Sequence, residues 1–139
     1  MKVFCDTGFF VGYYNSADQC HSTAIQLLQT AKGVNFDLVT SDYIYDETLT
    51  RLLTSDRKVG YLRAFRFDND IRMEGKITFL HVSDTLLSQA REIFFRYNKD
   101  KRWSFTDCTS FALMKDNGIN AALTFDQNFS EMGFKRVEP

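Results

Sequence analysis

The sequence predicts an α/β fold, a three-layer α/β/α sandwich with a mainly parallel central sheet of four to five strands. Three observations carry this expectation. Short apolar runs alternate with longer segments whose apolar residues recur at helical spacing. The apolar runs lack the in–out alternation of a half-exposed sheet, so both faces of the sheet are expected to be covered. No Pro-rich or Gly/Ser-rich linker interrupts the chain, and its one proline is Pro139, so residues 1–139 read as a single domain.

Each element has its own signal. Residues 2–5 (KVFC) read as a short buried strand. A helix is expected over about 19–32, where Ala24, Leu27, Leu28 and Ala31 fall at helical spacing and Gly33 supplies a stop. Residues 37–40 (DLVT) form a second strand. Asp42 is expected to cap a helix to Ser55 with Tyr45, Leu49, Leu52 and Leu53 on its inner face. Another helix is expected from Asp56 to about Asp68, and a third strand over 77–82 (ITFLHV). Ser83 or Asp84 then caps a helix that turns Leu86, Ala90, Ile93 and Tyr97 inward. Residues 104–117 read as a helix closed by Asn117-Gly118. Residues 120–125 (NAALTF) and 134–137 (FKRV) complete the strands.

Composition narrows the function classes. The chain is 44% hydrophobic and 25% charged with a net charge of -1, which excludes disordered and collagen-like chains and a uniformly basic coat protein. The charge is nevertheless uneven. Residues 1–50 carry net -4, residues 51–102 net +5 and residues 103–139 net -2. Three cysteines with no C-x-x-C pair argue against a disulfide framework and fit a reducing cytoplasmic setting. The two histidines lack zinc-ligand spacing. No apolar run reaches the ~20 residues of a membrane span, and Asp6 interrupts the apolar opening that could otherwise pass for a signal peptide.

The carboxylates are the most informative residues. Asp6 ends the first strand and Asp126 ends the fourth. In a parallel sheet these ends share one edge, the edge at which such sheets bind ligands. Glu47 lies in the first turns of the helix after the second strand, and Asp107 in the first turn of a helix that is apolar on almost every side. Gathered together, the acids repel: a close pair costs about 4 kcal/mol at about 4 Å with an effective dielectric near 20. A divalent cation removes that cost, and an oxygen-only donor set suits Mg²⁺ or Mn²⁺ over zinc. Each acid also has a plain structural reading. Asp6 and Asp126 could be turn or cap residues, Ser104-x-x-Asp107 has the form of a capping box, and Glu47 could be solvated.

Four segments in order, VFCDTGFFVGYY, TSDYIYDETLTRLL, WSFTDCTSFALMKDNGI and ALTFDQNF, resemble the PIN-domain ribonuclease family over essentially the whole chain. The resemblance implies a mainly parallel α/β/α sheet and an acidic cluster that holds Mg²⁺ or Mn²⁺. Matched by position, Asp6, Glu47, Asp107 and Asp126 would be its metal-binding and catalytic acids, with Thr106 in support and Ser104 and Thr7 as weaker candidates. It further implies an active nuclease, a homodimer and, for small stand-alone members of the VapC toxin type, an antitoxin partner.

The basic middle fits an RNA substrate. Arg96, Lys99, Lys101 and Arg102 lead to Trp103 and so to the Asp107 helix, and are candidate backbone contacts. Phe65 and Trp103 are expected in the core, as are Cys5 and Cys108, with Met73, Met114 and Met132 serving packing. A phosphatase of the haloacid-dehalogenase type would require Asp-x-Asp where the chain has Asp6-Thr7-Gly8, and a receiver domain would require a lysine after Phe125. The remaining alternative is a non-catalytic RNA- or partner-binding module of the same fold.

Overall fold

The computed structural model describes residues 1–73 and 75–139. Five strands form one all-parallel sheet: β1 (Lys2–Cys5), β2 (Asp37–Ser41), β3 (Ile77–Leu80), β4 (Ala121–Leu123) and β5 (Lys135–Arg136), in the order β3-β2-β1-β4-β5. The chain builds outward from β1 to β3 on one side, then crosses back to place β4 and β5 on the other. The reversal lies between β1 and β4, so the crevice beyond their carboxyl ends is where ligands bind in sheets of this kind.

Helices flank the sheet. Helices α1 (Thr7–Tyr14), α2 (His21–Gly33), α3 (Asp42–Thr54) and α4 (Gly60–Arg72) pack on one another, α5 (Asp84–Tyr97) packs on α6 (Phe105–Asp116), and α7 (Asn128–Glu131) is a single turn before β5. The core is continuous. Val3, Phe4 and Cys5 of β1 and residues Cys108–Met114 of α6 are all buried, which is why those stretches show no polar face in sequence.

Several expectations require correction. Residues 7–14 form a helix that was not predicted, because TGFFVGYY is buried on most sides and carries no amphipathic period. Helix α2 ends at Gly33, as expected, but Gly33 does not take the left-handed turn that closes it. The left-handed residue is Asn35 (φ 59°), and the Phe36 amide reaches back to the Ala31 carbonyl at 2.9 Å. Gly118 (φ 64°) closes α6 in the same way, as expected, with the Ile119 amide on the Met114 carbonyl at 2.8 Å.

Ser41, not Asp42, caps α3, its hydroxyl accepting from the Ile44 amide at 3.2 Å. The Asp42 carboxylate instead accepts from the Val82 amide at 3.1 Å and ties down the chain after β3. Helix α4 begins at Gly60, later than expected, because its first turn abuts α3. A Cβ at Gly60 would lie 2.2 Å from the Leu53 carbonyl oxygen. Leu53 and Phe65, expected inside, are 52% and 56% exposed, and Met73 is exposed too, whereas Trp103, Met114, Cys5 and Cys108 are buried as expected. Among the described residues, no helix is long and apolar enough to cross a membrane.

Candidate active site

β1 and β4 pair in register, Cys5 opposite Leu123, and the Asp6 amide extends the ladder to the Leu123 carbonyl at 3.1 Å. The register places Asp6 beside Thr124. Asp6 occupies the N-cap position of α1, yet its side chain makes no cap hydrogen bond. Its Oδ2 accepts from the Thr124 hydroxyl at 2.9 Å, while the Thr124 oxygen accepts from the Asp126 amide at 3.0 Å. One buried hydroxyl thus connects both strand-end acids, and the plain reading of Asp6 as a helix cap fails.

Asp107 comes from α6. Ser104 caps that helix, accepting from the Asp107 amide at 3.0 Å. The side chain of Asp107 faces Asn128, whose Nδ2 donates to Asp107 Oδ2 at 3.3 Å and to Asp126 Oδ2 at 3.2 Å. An amide donor therefore stands between two carboxylates, where positive charge is most needed. The Asp126 Oδ1 also accepts from the Asn128 amide at 2.9 Å, fixing the turn that begins α7.

The four predicted acids line one cleft of about 730 Å³, with Thr7, Arg51, Ser104, Asn128 and Glu131. They arrive from the end of β1, from α3 and α6, and from the turn after β4. Asp46, beside Glu47, is exposed. The cleft strains the acids electrostatically. Burial, reinforced by the negative charge of Asp107, pushes the Asp6 carboxyl up to about 7, against the opposing pull of the Thr124 hydroxyl. Burial and the charge of Asp126 raise Asp107 to about 6, with Glu47 adding to the effect and Asn128 opposing it.

The acids ring the cleft rather than closing on one point. Among the described residues, no three His, Cys, Asp or Glu side chains are grouped closely enough to hold a metal ion unaided. The donor chemistry still fits a hard cation. Mg²⁺ keeps several waters and uses one or two carboxylates directly, so an open oxygen-lined cleft suits it better than a closed cage. Thr7 Oγ1 adds a buried oxygen with no hydrogen-bond partner among the described residues.

The other expected site residues are divided. Thr7 and Ser104 line the cleft, and Thr106 does not; the Thr106 carbonyl accepts from the Thr109 hydroxyl within α6. Lys99, Lys101 and Arg102 line a neighbouring groove after α5, while Arg96 lies in a separate depression with Glu92 and Lys115. Lys101 reaches the cleft rim by pairing with Glu131 at 3.1 Å. Sequence reading missed Asn128 and Glu131 as cleft residues and Thr124 as the buried tether of two of the acids. Only Thr124 had a signal, a hydroxyl two positions before a strand-end acid.

Comparison with known proteins agrees with this architecture. The family model described as "PIN domain" matches residues 3–135. The chain is 36% identical over 137 residues to the 23S rRNA-specific endonuclease VapC20 of Mycobacterium tuberculosis, covering 99% of this chain and 98% of that protein. It is 28% identical over 131 residues to a VapC ribonuclease of Archaeoglobus fulgidus, covering 94% and 80% of the two chains. The crystal structure of M. tuberculosis VapC20, described as a sarcin–ricin loop cleaving toxin, superposes with a TM-score of 0.86 at 34% identity and 99% coverage of both chains. VapBC2 from Rickettsia felis, bound to a DNA fragment from its promoter, shares the fold at a TM-score of 0.70 and 11% identity, covering 98% and 97%. With its full-length match, its parallel sheet and the cleft at the sheet's switch point, the chain belongs to the PIN-domain family and is VapC-like in sequence and fold.

Proposed function

We infer that the chain, acting as one domain over residues 1–139, is a Mg²⁺- or Mn²⁺-dependent endoribonuclease of the VapC toxin type. The observation that carries this reading is the meeting of Asp6, Glu47, Asp107 and Asp126, from four separated segments, in one cleft. The end-to-end similarity to a 23S rRNA-specific endonuclease supports it and makes ribosomal RNA the first substrate to test.

Asp6, Glu47, Asp107 and Asp126 would hold the cation, which supplies Lewis-acid chemistry for phosphodiester hydrolysis. The protein's own groups set the stage. Thr124 and Asn128 hold three of the acids in place through the bonds given above. Arg51 on the rim offers a cation to a phosphate beside the acids. Water adds to phosphorus as one ester P–O bond breaks, a cleft carboxylate takes the proton from the water, and the leaving ribose oxygen takes a proton from solvent.

The test is cleavage of end-labelled ribosomal RNA by the purified protein in Mn²⁺, in Mg²⁺ and in EDTA. Cleavage is expected with either metal, none in EDTA, and a loss of at least about 100-fold in Asp107→Asn. Metal-independent cleavage, or full activity in that variant, would overturn the assignment. Binding of the RNA without cleavage under any condition would favour the non-catalytic module, a reading to which the open arrangement of the acids lends its one support. A homodimer and an inhibitory antitoxin, expected for a VapC-type toxin, belong to the same proposal. Scattering mass and co-purification with the protein of an adjacent reading frame are their direct tests.

A further inference from the structure

We propose that the groove after α5 is a second strand-binding subsite, holding a nucleotide that flanks the scissile phosphate by stacking its base on Phe95 and its phosphate on Lys99 and Arg102. This inference rests on the ribonuclease reading and adds to it a single-stranded, extended substrate segment.

Three features of the groove point to RNA. The first is rigidity. The Asn98 side chain clamps both main-chain groups of Trp103, accepting from its amide at 2.8 Å and donating to its carbonyl at 2.9 Å. Trp103 is buried, stacked on Tyr97 at 5.0 Å and edge-on to Phe111 at 5.2 Å. The loop 99–102 is therefore closed at its base and presented outward in one shape, with little ordering left to do on binding.

The second feature is composition. Phe95 is 65% exposed, held edge-to-face by Phe94 at 5.1 Å, and it shares the groove with Lys99, Lys101 and Arg102. Among the described residues neither Lys99 nor Arg102 has a carboxylate partner, and Asp100 does not line the groove. An open aromatic face beside unpaired cations matches a base with its phosphate. A second copy of this basic surface would meet like charge.

The third feature is continuity. The residue after Trp103 is Ser104, which caps the Asp107 helix and lines the acidic cleft. Lys101 bridges the two sites by pairing with Glu131 of the cleft rim. A strand laid over the acids would enter the groove past the Lys101–Glu131 pair. Asn98 is in this account a positioning residue, acting through the loop it closes.

The experiment uses the full chain and a fluorescein-labelled single-stranded RNA of twelve nucleotides. Fluorescence anisotropy in EDTA measures binding apart from catalysis, and cleavage in Mn²⁺ is followed in parallel. Phe95→Ala is expected to weaken binding about tenfold, the worth of one base–aromatic stack. Lys99→Ala with Arg102→Ala is expected to reduce the salt dependence of binding by about 1.4 in log–log slope, two single-strand phosphates' worth. In cleavage the effects should fall on KM, with kcat moving less than twofold, and Asn98→Ala, which opens the base of the loop, should raise KM in the same way.

Unchanged affinity and KM in both Phe95→Ala and the double variant would overturn the subsite, as would an absence of RNA binding by the parent protein. A fall in scattering mass in Phe95→Ala with RNA affinity intact would overturn it in favour of a contact between copies. Binding that follows the expected pattern without any Mn²⁺-dependent cleavage would uphold the subsite and reject the nuclease reading alone.

Discussion

Replacing Asp6 with Asn isolates the energetic cost of assembling the acidic cleft. Asp6 is 6% exposed and its carboxyl is raised from 3.8 to about 7, first by burial and then by the charges of Asp107 and Asp126. A group that is a weaker acid in the folded chain than in the unfolded one retains its proton longer in the fold. The folded state then binds more protons between the two values, so stability falls as pH rises from about 4 to about 7. About three pH units at about 1.4 kcal/mol each set a ceiling near 4 kcal/mol. The shared repulsion with Asp107 and the unmet amide hydrogens of Asn reduce this to the order of 2–3 kcal/mol.

For 139 residues the unfolding entropy is about 0.3 kcal/mol/K, so Asp6→Asn should melt about 7–10 °C above the parent in EDTA at pH 8. The gap should narrow at pH 5, where the parent's Asp6 is largely protonated when folded. Differential scanning calorimetry at the two pH values is the assay. A variant no more stable than the parent at pH 8, or a gap that stays constant down to pH 5, would refute the reasoning. Saturating Mn²⁺ should reverse the order, raising the parent's Tm and leaving the variant's nearly unchanged.

Further outcomes follow from the same geometry. Thr124→Val, nearly isosteric, removes the donor to Asp6 Oδ2 and the acceptor for the Asp126 amide, and should destabilise by about 1–3 kcal/mol in urea unfolding. It should also cut Mn²⁺-dependent cleavage, because two acids lose their common tether; cleavage at the parent's rate would count against that tether. Asn128→Ala takes away the amide between Asp107 and Asp126, so the metal-free protein should lose stability more at pH 8 than at pH 5 by calorimetry. Gly60→Ala should lower stability by about 1–3 kcal/mol, since the new methyl meets the Leu53 carbonyl, and a neutral result would mean that α3 and α4 can separate freely. Asn35→Ala should cost about 1 kcal/mol through its left-handed backbone, and Asn35→Gly should not.

Much of the fold was legible because a buried parallel strand is a short apolar run and an amphipathic helix has a period. That covered the five strands and the helices around Leu27, Leu52 and Ala90, while α6, buried on nearly every side, was marked instead by its Asn117-Gly118 stop. It failed for α1, where TGFFVGYY is buried on most sides and so carries no period, and for Phe65, whose helical spacing says nothing about which partner covers it. Asp6 and Asp126 could be placed together because a parallel sheet sends every strand end to one edge, and Glu47 because its helix starts from that edge; Asp107, on a helix, was placed by its match to the PIN-domain motif. Thr124 and Asn128 escaped because their roles come from hydrogen bonds to acids that the fold, not the sequence, brings beside them. Asn35 took the place expected of Gly33 because an Asn tolerates the left-handed turn almost as well.

A crystal soaked in MnCl₂, with diffraction recorded above the manganese absorption edge, tests most directly whether the acids serve a cation. An anomalous peak is expected inside the cleft bounded by Asp6, Glu47, Asp107 and Asp126, and its loss in Asp107→Asn. An empty cleft at millimolar Mn²⁺, or manganese bound only elsewhere on the surface, would contradict that expectation.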